Sequence, residues 1–264
     1  MAQIASFSLE KWHQVSRVHF SKITPYYDQG RAFENSKPWV KKMQQHTPVS
    51  VTDWVLDAGC GTGLFANPFA RQMAGQVLGI DPAFAMLKQA AYKERTPNLS
   101  WSQGMAEYLP LADEVLRVIF LSQVWHHLKD QEKACREFFR CLKPGGGLYI
   151  KTYSHAQLKK RWDITEIFPE LLPLMLSIYP DVPELSALME KVGFSAVTSK
   201  STYKEDFMRP SQLLKVMREK AWSMFSFLSP EGAAEGEARL EALIDRGDEP
   251  VLYPEVHLLL ISQK

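Results

Sequence analysis

The stretch VLDAGCGTGLF sets an acid, Asp57, and three alternating glycines, Gly59, Gly61 and Gly63, directly after the apolar pair Val55 and Leu56. Glycine tolerates backbone angles closed to other residues, so this spacing suits a tight turn that brings main chain close to a bound molecule. It departs from the dinucleotide fingerprint G-x-G-x-x-G, because the third glycine comes one residue early and the Asp57 carboxylate would sit badly beside a pyrophosphate. A phosphate-free cofactor carrying an amino-acid cation suits that acid. Asp81 closes a second apolar run, GQVLGID, where an acceptor-only carboxylate can take hydrogen bonds from both hydroxyls of a ribose. Ala106 and Glu107, in QGMAEYLP, follow a third run at a place where a loop can line an adenine. Together these residues describe a site for a nucleoside joined to a charged, phosphate-free tail.

Further candidates lie outside that loop. His126 and His127, in VWHHL, follow another strand end, where a near-neutral imidazole can accept a substrate proton. Adjacent side chains rarely point the same way, so His127 is the first candidate for a base and His126 the second. The plain alternative has one capping a loop and the other held by a backbone oxygen. Cys60 belongs to the glycine loop; with no His or acid pair nearby to activate it, its thiol is expected to pack rather than attack. Arg161, Trp162, Phe168, Leu172, Met175 and Tyr179 offer an apolar substrate chamber with one cationic anchor, or else the packing of an insertion.

The elements that must position these residues alternate. VTDWVLDA, GQVLGID, LSWSQG, LRVIFLSQV and LYIKTY read as strands. LFANPFARQM, PAFAMLKQAAYKER and DQEKACREFFRCL read as the helices between them. This predicts an α/β fold with a largely parallel sheet and ligands gathered at the carboxyl ends of its strands. Residues 155–193 interrupt the alternation and end in a helix at Gly193; SAVTSKSTY reads as another strand, 204–248 as mostly helical, and EVHLLLISQK as a closing strand.

The chain has 264 residues, with 31 Lys and Arg against 30 Asp and Glu, a net charge of +1 that gives no general attraction to nucleic acid or an anionic membrane. No stretch approaches the roughly 20 apolar residues of a membrane span, and the amino-terminal residues show no targeting pattern. The three cysteines lack the paired spacing of a metal knuckle or a disulfide framework, so no metal is expected and a cytoplasmic location is.

VLDAGCGTG, GIDPAFAML, GMAEYLPLADEVLRVIFLSQVWHHL and LKPGGGLYI stand in an order and spacing that resembles the class I S-adenosylmethionine-dependent methyltransferases, in particular the small-molecule group with a type 11 methyltransferase domain. The resemblance implies a Rossmann-like, mostly parallel seven-stranded sheet with helices on both faces and an antiparallel C-terminal strand. It implies residues 1–50 as a helical lid, and 51–264 as the catalytic domain, with 155–180 and 204–248 as substrate-pocket or cap insertions.

It also implies roles. Asp57, Gly59, Cys60 and Gly61 would cradle the methionine part of S-adenosyl-L-methionine, and Asp81 the ribose. Pro82, Phe84 and Met86 would supply an apolar contact to the adenine, flanked by Ala106 and Glu107, with Ser122 and Gln123 beside the cofactor. Tyr26 and Tyr27, in ITPYYDQGRAF, look like part of a lid over cofactor and substrate. The implied reaction is direct displacement at the sulfonium methyl by an oxygen, nitrogen or carbon of a small, specialised metabolite, leaving S-adenosyl-L-homocysteine. Alignment supplies most of its rate. The rival readings are a cofactor-binding scaffold without catalysis and a protein-substrate methyltransferase, and the expected assembly is a monomer or homodimer.

Overall fold

Apolar residues at every second position of five strands divide between two faces of one sheet, and this period of two organises the structure. The computed structural model describes residues 12, 20, 24, 27, 28, 37–93, 96–204, 207–252 and 255–264. In chain order the elements begin with α1 (Lys37–His46), β1 (Trp54–Ala58), α2 (Ala66–Gln72), β2 (Gln76–Asp81), α3 (Phe84–Lys93) and β3 (Leu99–Gln103). They continue with β4 (Leu116–Ser122), a 3₁₀ turn at Trp125–His127, α4 (Gln131–Cys141), β5 (Leu142–Thr152), α5 (His155–Leu158), α6 (Leu171–Ile178), α7 (Val182–Val192) and β6 (Ser195–Lys204). The last are β7 (Phe207–Met208), α8 (Pro210–Arg218), α9 (Pro230–Asp245), β8 (Val251–Leu252) and β9 (Glu255–Gln263).

Seven strands lie in the order β3-β2-β1-β4-β5-β9-β6. β1 to β5 pair in parallel, and β9 runs antiparallel to β5. The order reverses between β1 and β4, which is where an open α/β sheet leaves a crevice for a ligand. Leu56, Ile80, Ile119, Leu121 and Ile150 face one side, packed with Phe138 of α4 and Met189 of α7. Val55, Val77, Val118, Phe120 and Tyr149 face the other, packed with Trp39 and Met43 of α1 and Phe69 of α2. The helix expected to begin at Pro82 starts at Phe84. Gly145 and Gly146 are drawn into β5: Leu116 pairs with Leu142 but Val118 with Gly147, so the residues between form a bulge within the ladder.

The chain divides into two compact units. One comprises 31–152, 182–200 and 258–264, and holds the sheet. The other comprises 1–30, 153–181 and 201–257, with its own core of Trp12, Phe168, Leu213, Phe225 and Leu240. The sequence division at residue 50 therefore shifts: α1 joins the sheet unit, because Trp39, Val40 and Met43 pack on its core. Among the described residues no helix is long and apolar enough to cross a membrane.

Candidate functional site

β1 ends at the sheet's point of reversal, and its last inward carboxylate is Asp57, in register with Gly79 of β2 and Phe120 of β4. Asp57 is fully buried. The Ala66 amide at the start of α2 donates to its carboxylate, while Oδ2 has no hydrogen-bond partner among the described residues. Burial, and to a lesser degree the nearby Asp81 charge, push its pKa up to about 8. The unmatched oxygen can accept a hydrogen bond from a donor outside the chain.

The turn after it is fixed by β2. The amides of Gly59 and Cys60 donate to the Ile80 carbonyl at 2.7 and 3.0 Å, and the Gly61 amide donates to Asp81 Oδ2 at 2.8 Å. The Ala83 amide donates to Asp81 Oδ1, also at 2.8 Å. Each oxygen of Asp81 keeps acceptor capacity for an outside hydroxyl. Its pKa is raised by burial, an effect that the two amide bonds oppose. Gly59 has φ +72°, and a Cβ there would collide with Val124. The turn thus needs glycine both for its angle and for its contact with the segment after β4. The Cys60 thiol is buried and its pKa is pushed well above the ordinary value, chiefly by burial, which keeps it protonated and unreactive.

Other expected residues divide. Pro82 is exposed at the rim. Met86, expected at the adenine, is 1% exposed in the core, so the apolar surface at this corner belongs to Phe84, which is 61% exposed. Ala106 is buried, and the Glu107 side chain turns toward the start of α4, where its Oε1 accepts the Lys129 amide at 2.9 Å. Ser122 and Gln123 are half-buried at the end of β4, Gln123 with φ +56°. His126 is buried and His127 half-buried, their ring centroids 4.0 Å apart. On the face of the sheet that packs against α1, Lys151 stands in register with Ser122. It is fully buried, with its ammonium 5.1 Å from the Phe65 ring and 5.5 Å from that of Trp39.

The expected substrate residues fall in the second unit. Arg161 is not an open anionic clamp: it holds buried Asp163 through two bonds, of 3.1 and 2.6 Å, and lies over the rings of Tyr153 and Trp222. Trp162 and Tyr179 are buried in that unit's core, and the Tyr179 carbonyl is bonded to the His155 ring at 2.8 Å. Tyr27 is half-buried there, its ring edge-on to Phe20 at 6.2 Å. Tyr26 lies outside the described residues.

A glycine turn over a buried, half-satisfied acid, with a second acid ending the next strand, defines an α/β enzyme that binds an adenosyl cofactor with an amino-acid tail. Comparison with known proteins agrees. Residues 56–150 match the methyltransferase domain family. The chain is 32% identical over 168 residues to the ubiquinone/menaquinone biosynthesis C-methyltransferase UbiE of Photorhabdus laumondii, covering 54% of this chain and 67% of that protein. It is 30% identical over 141 residues to the malonyl-[acyl-carrier protein] O-methyltransferase of Hamiltonella defensa, a match that spans 53% of each chain, about half the length of that relative. Among solved structures, a putative methyltransferase from an antibiotic biosynthesis pathway of Anabaena variabilis superposes with a TM-score of 0.68 at 18% identity, over 87% of this chain and 98% of that one, which is a likeness of fold.

The chain belongs to the class I S-adenosylmethionine-dependent methyltransferases. It is an enzyme whose cofactor is S-adenosyl-L-methionine.

Proposed function

We propose that the enzyme methylates, by direct displacement, a nucleophilic atom of a small specialised metabolite, with an electron-rich carbon of a hydroxylated ring ahead of oxygen and nitrogen. The observation that carries the cofactor half of this reading is Asp57, a buried acid with an unmatched oxygen beneath a turn that only glycine can make. The preference for carbon rests on the C-methyltransferase relative named above.

The bound cofactor supplies an electrophilic methyl group on a cationic sulfur. This chain's part is to hold and exclude. Asp81 takes the ribose hydroxyls, Asp57 faces the amino-acid ammonium directly or through a water, and the Gly59–Gly61 backbone closes over the tail. Phe84 with Pro82 offers the adenine an apolar wall. Alignment of this kind is worth several powers of ten in rate without any enzyme nucleophile. His127, the more open of the two imidazoles, takes the proton that the acceptor hydroxyl or ring carbon loses, and His126 packs behind it. We place the enzyme in the cytoplasm, as a monomer or homodimer, a location supported by three cysteines that are all free.

The test is incubation with S-adenosylmethionine carrying a deuterated methyl group and a panel of hydroxylated aromatics, quinols, amines and acyl-carrier-bound acids. A product heavier by one deuterated methyl on a ring carbon supports the reading. Transfer confined to the acyl-carrier acid would replace it with a protein-bound acceptor, the chemistry in the name of the Hamiltonella relative.

A further inference from the structure

α4 grips the loop that follows β3 along a single stripe. Lys133, Glu137 and Arg140 lie at i, i+4 and i+7 and so share one side of the helix. Arg140 Nη1 donates to the Leu111 carbonyl at 2.8 Å and to Asp113 Oδ1 at 2.7 Å. Its Nη2 donates to the Leu109 carbonyl at 3.2 Å. Nε and Nη2 also close a two-pronged pair with Glu137, both bonds 2.8 Å, and Glu137 Oε2 accepts the Leu109 amide at 2.9 Å. The Lys133 ammonium sits 3.4 Å from the centre of the Tyr108 ring. From the other side, Glu107 accepts the Lys129 amide just ahead of the helix. The loop begins where Gly104 donates to the Asp81 carbonyl at 3.3 Å, so one end is tied to the residue that ends β2.

Magnitudes separate two meanings for this cluster. Arg140 is 31% exposed and Asp113 72%, and ion pairs in such surroundings contribute about 0–1 kcal/mol to stability. As a staple for the fold the cluster is weak. As a device for fixing a loop it is strong, because one planar guanidinium holds two carbonyls and two carboxylates in directions it cannot vary. Its partners keep the Arg140 pKa raised and that of Glu137 lowered, each chiefly through their mutual hydrogen bonds, so the clamp stays charged at any working pH.

We propose that Arg140 and Glu137 are positioning residues for base recognition: they hold the 105–113 loop so that its backbone at Ala106 and Glu107 reads the amino edge of adenine. This rests on the cofactor reading above and on the place of that loop beside Asp81. Neither residue touches the cofactor. Loss of the clamp therefore lets the loop drift and costs selectivity for the base before it costs the fold.

The experiment compares binding of S-adenosylhomocysteine with S-inosylhomocysteine, in which an oxo group replaces the adenine amine, by calorimetry. The proteins are the wild type, Arg140→Met and Arg140→Lys. The wild type should prefer the adenosyl ligand by about tenfold or more, the worth of one or two hydrogen bonds to the base. Arg140→Met should bring the two affinities to within about threefold of each other, mostly by weakening the adenosyl ligand, and Arg140→Lys, which keeps the charge but not the fork, should fall between. An equal loss for both ligands, an unchanged preference in a folded variant, or a wild type without preference each overturns the proposal. If Arg140→Met does not fold, the preference of Arg140→Lys decides. A wild type that binds neither ligand contradicts the cofactor reading itself, which is a different failure.

Discussion

The Gly61 amide donates to Asp81 at 2.8 Å, so the turn that follows β1 is held in place by the last residue of β2. The acid assigned to the ribose thus also builds the loop assigned to the methionine tail. Binding and folding share one carboxylate.

Asp81→Ala should therefore destabilise the protein as well as the complex. It strands the Gly61 and Ala83 amides, at about 1–3 kcal/mol for each buried donor left unmatched. Asp81→Asn keeps one acceptor oxygen and should cost about half as much. Denaturant midpoints measure both; an alanine variant as stable as the wild type would mean that the loop does not lean on this residue.

Gly59→Ala should lose cofactor binding and stability together. The residue sits at φ +72°, and its added methyl would meet Val124. A left-handed angle costs a non-glycine residue about 1–2 kcal/mol, and the collision adds to that. Gly59→Ala with Val124→Ala should recover the collision but not the strain. Thermal melts with and without S-adenosylhomocysteine separate the two parts.

Asp57 makes a pH prediction whose sign is fixed by its environment. Its folded pKa of about 8 lies above the unfolded value near 4. Between these values the folded, ligand-free protein binds more protons than the unfolded chain, so its stability falls as pH rises, at up to about 1.4 kcal/mol per unit, and levels off above about 8. Asp81, raised in the same direction, adds to the trend. A ligand ammonium reverses the preference. S-adenosylhomocysteine affinity should rise with pH up to about 8, by as much as tenfold per unit, while 5′-methylthioadenosine, which lacks the amino acid, should show little change. In Asp57→Asn the rise should vanish; its persistence would place the titrating group elsewhere.

His127→Gln should lower turnover by about 10²–10⁴-fold at neutral pH with cofactor affinity unchanged, the range for loss of a general base. His126→Gln, at a buried position, should act mainly on the melting temperature. Rates across pH 5–9 with an acceptor that the enzyme methylates test this, and equal rate losses in both variants would remove His127 from the proton path.

The turn is legible in the sequence because its constraints are local. Asp57, Gly59, Gly61 and Asp81 each end a strand or start a turn, and residue type alone limits what can stand there. Apolar and long side chains carry no such mark. Met86 serves the core as readily as an adenine wall, and Trp162 and Tyr179 close a hydrophobic interior. Arg161 is legible as a cation but not as one engaged by Asp163 only two residues away, since that pairing depends on the turn between them. Arg140 and Glu137 are hidden for a related reason. Their i,i+3 spacing is ordinary on any helix, and the bond that gives the pair meaning runs from Glu137 to an amide 28 residues earlier. Buried Lys151 is likewise concealed within a strand that otherwise reads as apolar. Residues 31–50 read as part of the lid because aromatic, helical sequence precedes and follows position 30 alike, whereas the packing of Trp39 and Met43 settles where α1 belongs.

Calorimetric titration of the wild type and Asp81→Ala with S-adenosylmethionine and, separately, with NADH asks whether Asp57 near the end of β1 and Asp81 at the end of β2 hold an adenosyl cofactor. S-adenosylmethionine should bind saturably at one site per chain, weakened at least about a hundredfold in the variant by loss of charge-assisted bonds to two hydroxyls, and NADH should not bind. Binding of NADH without S-adenosylmethionine, or an affinity for S-adenosylmethionine that Asp81→Ala leaves untouched, would contradict this assignment.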